Sequence, residues 1–190
     1  MRVFKRFLVM AAMLPLVLVG PVQASYPGVD AGGEAWLLQQ AQTRAPIAFR
    51  VFCIQNPSQC APAGEAQVDL DGPTFDMLQL VNLRVNGSIR PSREPGDRWQ
   101  INVAVGDCED FALTKRAQLI AAGLPVGALR IAVGRTRQGE GHAVLVVRTD
   151  KGDFVLDNRF NSVRPLSLAR MTWTAMSTSN PLQWTTIRQL

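Results

Sequence analysis

Much of the usual material for metal and redox sites is missing from this chain. It has one histidine, His142, and three cysteines, and no two cysteines form a Cys-x-x-Cys pair. A structural zinc site of the Cys/His type therefore lacks its ligands. No Asp-x-Asp-x-Asp loop of the EF-hand kind occurs. No basic stripe interleaved with aromatics is present, so a nucleic-acid surface finds no support. There is no internal repeat and no low-complexity tract. After Ala24 no second apolar segment is long enough to span a bilayer.

What is present begins with a leader. Arg2, Lys5 and Arg6 precede an apolar run from Phe7 to Val19. Val22-Gln23-Ala24 then places small residues at the −3 and −1 positions of a signal-peptidase site. The run is short for a membrane span, which takes about 20 residues. Pro15 also breaks it. The expectation is a signal peptide over residues 1–24, cleaved after Ala24, and a periplasmic or secreted product without stable membrane insertion. Residues 25–190 are long enough for one domain with its own core. The leader holds three basic residues and no acidic one, so 20 basic and 15 acidic residues become 17 and 15. The mature chain then carries only +2, and the basic character of the whole belongs mostly to the leader.

Export means oxidising conditions, where an odd cysteine count needs a reason. Cys53 and Cys60 flank Asn56-Pro57-Ser58, which is turn chemistry, and a local disulfide is expected there. Cys108 is left over, as a buried inert thiol or as a reactive one.

Coarse periodicity gives a helix over 33–46, a β-like segment over 47–53 and a loop over 54–72. Pro73 opens a helix carrying Phe75, Leu78, Val81, Val85 and Ile89 at helical spacing. A second loop covers 90–100. Asp107 then caps a helix and Asp110 returns the bond, as in a capping box. Leu113, Ala117, Ile120 and Ala121 make its apolar stripe, and Gly123 and Pro125 end it. Strands follow at 128–135, 141–150 and 153–160, with a hairpin turn at Asp150–Asp153. The order is α+β, a helix packed against an antiparallel sheet.

Three residues in this frame carry chemistry. Cys108 lies in a first helical turn, where free N–H groups and the helix dipole favour a thiolate. His142 opens one strand, sharing a face with Val144 and Val146, and Asp157 ends the next. Each has a bland reading: inert thiol, structural histidine, turn former. Together they follow the logic of nucleophile, base and orienter. A tight turn at Lys151–Gly152 would set Asp157 opposite Val146, about 13 Å along the strand from His142. Contact then requires a bulge, a shifted turn, strong twist or non-adjacent strands.

"GDCEDFALTKRAQLIAAGLP" and "GEGHAVLVVRTDKGDFVLDN", with "VNLRVNGSIRP", "DRWQ" and the "FC…P…C" segment upstream, resemble the bacterial transglutaminase-like cysteine proteinases. That family includes periplasmic adhesin proteases of the LapG type. The resemblance covers roughly residues 35–160. It implies a papain/transglutaminase-like fold, catalytic roles for Cys108, His142 and Asp157, and a thioester intermediate. It also implies Ca²⁺ held by Asp107 and Glu109 and a protein substrate. Members of the LapG type release surface adhesins under the control of an inner-membrane receptor, which makes an adhesin and such a receptor candidates here rather than consequences of the resemblance. Calcium would answer an oddity of the motif: carboxylates beside a cysteine disfavour its thiolate, and a dication would cancel them. The plainer role of Asp107 and Glu109 is to cap the helix and complement its dipole. The same triad serves a transglutaminase, which differs only in the acceptor. A third reading has Cys108, His142 and Asp157 holding zinc in a non-catalytic module.

Overall fold

A computed structural model describes residues 35–92 and 96–189. The expected signal peptide lies outside the described residues. In chain order the elements are β1 (Leu37–Thr43), α1 (Ile47–Gln55), α2 (Pro57–Cys60), α3 (Gly72–Ser88), β2 (Arg90–Pro91) and β3 (Val105–Gly106). Next come α4 (Cys108–Ala121), β4 (Leu129–Thr136), β5 (Gly141–Thr149), β6 (Gly152–Leu156), β7 (Arg164–Pro165), β8 (Met171–Ser177) and β9 (Trp184–Gln189). Seven strands form one antiparallel sheet in the order β1-β9-β8-β4-β5-β6-β7, and β2 and β3 make a short parallel pair. This is the α+β, papain/transglutaminase-like arrangement, with α4 laid against β5.

Strand alternation sorts the core. Leu145 and Val147 of β5 join Phe49, Leu78, Phe111 and Leu119 from the helices. Val144 and Val146 point the other way, into a second cluster with Leu37, Val155, Met176 and Ile187.

The first two elements differ from the sequence reading. Residues 37–43 are a strand, not part of a helix, and 47–55 are a helix, not a strand. Gln39, Gln40 and Gln42 suit a helix locally, but pairing with β9 outweighs that weak preference. Asp153 anchors the strand's start, accepting from the Leu37 N–H at 2.7 Å while its other oxygen takes the Arg148 Nε at 2.6 Å. In α1 the buried residues are Ala48, Phe49, Phe52 and Cys53, which is helical spacing hidden under β-like composition. Within the expected loop at 54–72, α2 forms and ends at Cys60. The Cys53–Cys60 disulfide closes this turn. A loop so short gains about 2 kcal/mol of stability from its bridge.

The helix opening at Pro73 is α3, and Leu78, Val81 and Val85 are buried as expected. The stripe expected on α4 is not the one observed. Leu113 is buried, but Ala121 is exposed, and Phe111, Thr114, Lys115, Arg116 and Leu119 are buried too. Two cations thus lie inside. Arg116 donates from Nε to the Leu129 carbonyl at 2.9 Å and from Nη1 to the Gln59 carbonyl. It ties α4 to β4 and to the disulfide turn.

Candidate active site

The start of α4 is built by its own short sequence. The Asp107 and Asp110 side chains form the capping box, with the Asp107 N–H donating to Asp110 Oδ2 at 3.2 Å. Asp110 is fully buried, and its Oδ1 accepts from the Gln100 N–H at 2.8 Å. A Cβ on Gly106 would stand 2.3 Å from Asp110 Oδ2 and 2.9 Å from Val103, so only glycine lets the chain pass there. "GDCED" is therefore a lock on a helix start. The sequence showed the cap but not the burial of Asp110.

Cys108 is the first residue of α4 and lines a cleft of about 780 Å³. His142, Asp107, Glu109 and Arg159 line it as well. The Ala143 N–H reaches Cys108 Sγ at 3.4 Å, so the start of β5 lies against the start of α4. His142 Nε2 sits 2.9 Å from Asp157 Oδ1. The hairpin resolves the expected misfit by a shifted turn. Thr149 pairs with Gly152 and Leu145 with Leu156, so the turn is Asp150–Lys151. Asp157 follows directly after Leu156 and stands level with Val144, two residues nearer His142 than a turn at Lys151–Gly152 would allow.

With Nε2 turned to Asp157, a neutral imidazole donates there and keeps Nδ1 as its free acceptor. Asp157 is buried. Burial opposes its ionisation, but hydrogen bonds from His142 and Arg159 hold its carboxyl well below the usual carboxylate range. Arg159 is the partner sequence reasoning missed, although Asp-x-Arg after a strand is a readable local ion-pair signal.

The thiol is in its protonated form. Burial pushes Cys108 up, the Glu109 charge pushes it further, and Sγ donates to Glu109 Oε2 at 2.9 Å. Asp107 adds to this, and the Ala143 N–H opposes it. Against these the first-turn advantage, worth up to about 1 kcal/mol at an exposed site, loses. The arrangement can pass a thiol proton to an imidazole, but its resting state is not a free thiolate.

Metal binding was expected at Asp107 and Glu109. Both supply hard carboxylate oxygens at the cleft, the donor type calcium takes. Among the described residues no group of three or more His, Cys, Asp or Glu could hold a metal ion. Calcium takes about six to eight oxygens, so these two carboxylates alone would supply only part of its shell. Glu109 would have to release the thiol to join it.

The sequence model of a family described as "Bacterial transglutaminase-like cysteine proteinase BTLCP" matches residues 39–190. The chain belongs to this family. It is a cysteine peptidase of the transglutaminase-like kind. Among solved structures it is similar to calcium-bound LapG of Legionella pneumophila, at 24% identity and a TM-score of 0.54, covering 60% of this chain and 69% of that one. A second LapG structure from the same organism matches at 25% identity and TM-score 0.54, covering 60% and 68%. An EGTA-treated LapG structure matches at 26% identity and TM-score 0.50, covering 55% and 63%. No curated protein matches the chain.

Beneath the site lies Lys115, about two turns after Cys108 on α4. Its ammonium is fully buried and has no hydrogen-bond partner among the described residues, with the Phe111 ring 5.9 Å away. Burial pushes it down to about 7, while the charge of Asp157 pulls it up. In the unfolded chain a lysine titrates at about pH 10.4. Between about pH 7 and 10 the unfolded state therefore holds more proton, and this residue's contribution to stability rises with pH. Below about 7 its full penalty remains. Lys115→Met should raise the stability to urea at pH 6–7 by on the order of 1–4 kcal/mol, as replacement of buried charge by apolar bulk often does. The gain should shrink steadily toward pH 10. A gain that is absent, or equal at all three of pH 6, 8 and 10, would contradict the assignment.

Proposed function

We propose that the protein is an exported, periplasmic thiol peptidase that cleaves an exported protein through Cys108, His142 and Asp157. The observation that carries this is the meeting of Cys108 and the His142–Asp157 pair at one cleft. His142 Nδ1 takes the Cys108 proton as the sulfur attacks the scissile carbonyl. The imidazolium, steadied by Asp157, returns that proton to the departing amine and leaves a thioester. Water, deprotonated by the same imidazole, then releases the acid and restores the thiol. Membership of a proteinase family favours water over an amine as acceptor. Export rests on the leader sequence. Among the described residues no helix is long and apolar enough to cross a membrane.

The family resemblance extends the proposal to a surface adhesin as substrate and to an inner-membrane receptor as regulator. Strains expressing wild-type or variant protein test this by proteomics of the cell surface. Cys108→Ala and His142→Ala should each retain on the surface a protein that the wild type releases. Asp157→Asn should slow release by up to about 10⁴-fold, since it corrupts the tautomer and leaves the nucleophile. An identical surface proteome in Cys108→Ala would overturn the reading.

Calcium belongs to the same proposal. Asp107 and Glu109 would hold it, and its charge would offset theirs beside the thiol. Calcium-bound and EGTA-treated LapG structures support a role for the ion in relatives. EGTA should lower release at least tenfold, added Ca²⁺ should restore it, and Glu109→Ala should be insensitive to both. Turnover indifferent to chelator and ion would leave Asp107 as a helix cap and Glu109 as the thiol's partner.

A further inference from the structure

The residue that most tightly engages the proposed triad stands outside it. Arg159 gives Asp157 three donors. Its backbone N–H reaches Oδ1 at 2.9 Å, its Nε lies 3.0 Å from Oδ2, and its Nη2 lies 2.6 Å from Oδ2. His142 supplies only one bond to the same carboxylate. The Arg159 side chain is about a quarter exposed and lines the cleft, so it reaches Asp157 from the rim. Its guanidinium also lies 5.4 Å from the centre of the Phe160 ring. That cation–π contact limits its freedom. From below, Asn86 of α3 donates to the Asp157 carbonyl at 3.2 Å.

We propose that Arg159 is a positioning residue of this site: its guanidinium fixes the Asp157 carboxylate in the orientation that His142 Nε2 meets and offsets its charge. This rests on the triad reading above. The physical need is plain. A buried carboxylate bonded to an imidazole favours the imidazolium, and an imidazolium cannot accept the thiol proton. A cation on the far oxygen of the carboxylate lowers that pull while leaving the orienting bond in place. A bidentate fork does so with fixed geometry, which an ammonium cannot match. Among the described residues, the charged groups acting on the carboxylate include His142 from β5, Arg159 from the loop after β6 and Lys115 from α4, while Glu109 and Asp107 act on the thiol and Glu140 lines the cleft two residues before His142.

His142 is the chain's single histidine, so its ring protons report without ambiguity in a nuclear magnetic resonance titration. The experiment uses Cys108→Ala protein, which removes the thiol's own titration. Adding Arg159→Gln should move the imidazole midpoint up by about one pH unit. Arg159→Lys should move it less, because charge returns without the fork. A purely structural arginine would lower stability and leave the midpoint of the folded protein in place. That result, in Arg159→Gln or in Arg159→Lys if the first does not fold, overturns the proposal. Asp157→Asn is the control that separates the two readings. If it lowers the midpoint while the Arg159 variants do nothing, only the Arg159 role fails. If it too does nothing, the His142–Asp157 pair fails, and the triad with it.

Discussion

The N-terminus of α4 has to meet the start of β5, and most of the local structure serves that meeting. The contact itself is small, a backbone N–H of Ala143 aimed at Cys108 Sγ. What holds it is spread along the helix. Gly106 and buried Asp110 fix where the helix begins. Further along, Arg116 fixes its distance from β4 and from the disulfide turn. Asn102, through its N–H on Thr114, pins the incoming loop to the same helix. A strand cannot shift along its ladder by less than two residues without exchanging its faces. The β5–β6 register is thus as constraining as the helix, and it sets Asp157 beside His142.

Charge is handled unevenly across this junction. Asp157 is surrounded by donors and stays ionised though buried. Cys108 has burial and acidic neighbours, and stays protonated. The proposed chemistry needs a proton to cross between these two environments, from a thiol to an imidazole whose other nitrogen is committed. That asymmetry suits an enzyme whose thiol is inert until something relieves the charge of Glu109. A buried cation, Lys115, also lies near enough to the site to feel the charge of Asp157.

The sequence was most legible where short-range chemistry dictates structure. The helix start at Asp107–Asp110, the strands of β4 and β5, the hairpin and the Cys53–Cys60 turn all follow from neighbours in the chain. Segments decided by distant partners were not. Residues 37–43 became a strand because β9 lies beside them, and Ile47–Gln55 became a helix because its buried face meets Trp99 and Trp184. Lys115 and Arg116 stood outside the apolar stripe read on α4, and the fold closed over them. The members of the proposed triad could be named from motif and spacing. Their contact could not, since it depends on a two-residue choice of turn.

One measurement bears directly on the central claim that Cys108 is a nucleophile served by the His142–Asp157 pair. A small activated ester can be offered as acyl donor, and the protein quenched in acid and weighed whole. The account predicts one acyl group, mapped to Cys108 as a thioester. Its formation should slow by at least tenfold in His142→Ala. Acylation that maps elsewhere, or that forms on Cys108 equally fast without the imidazole, would contradict it.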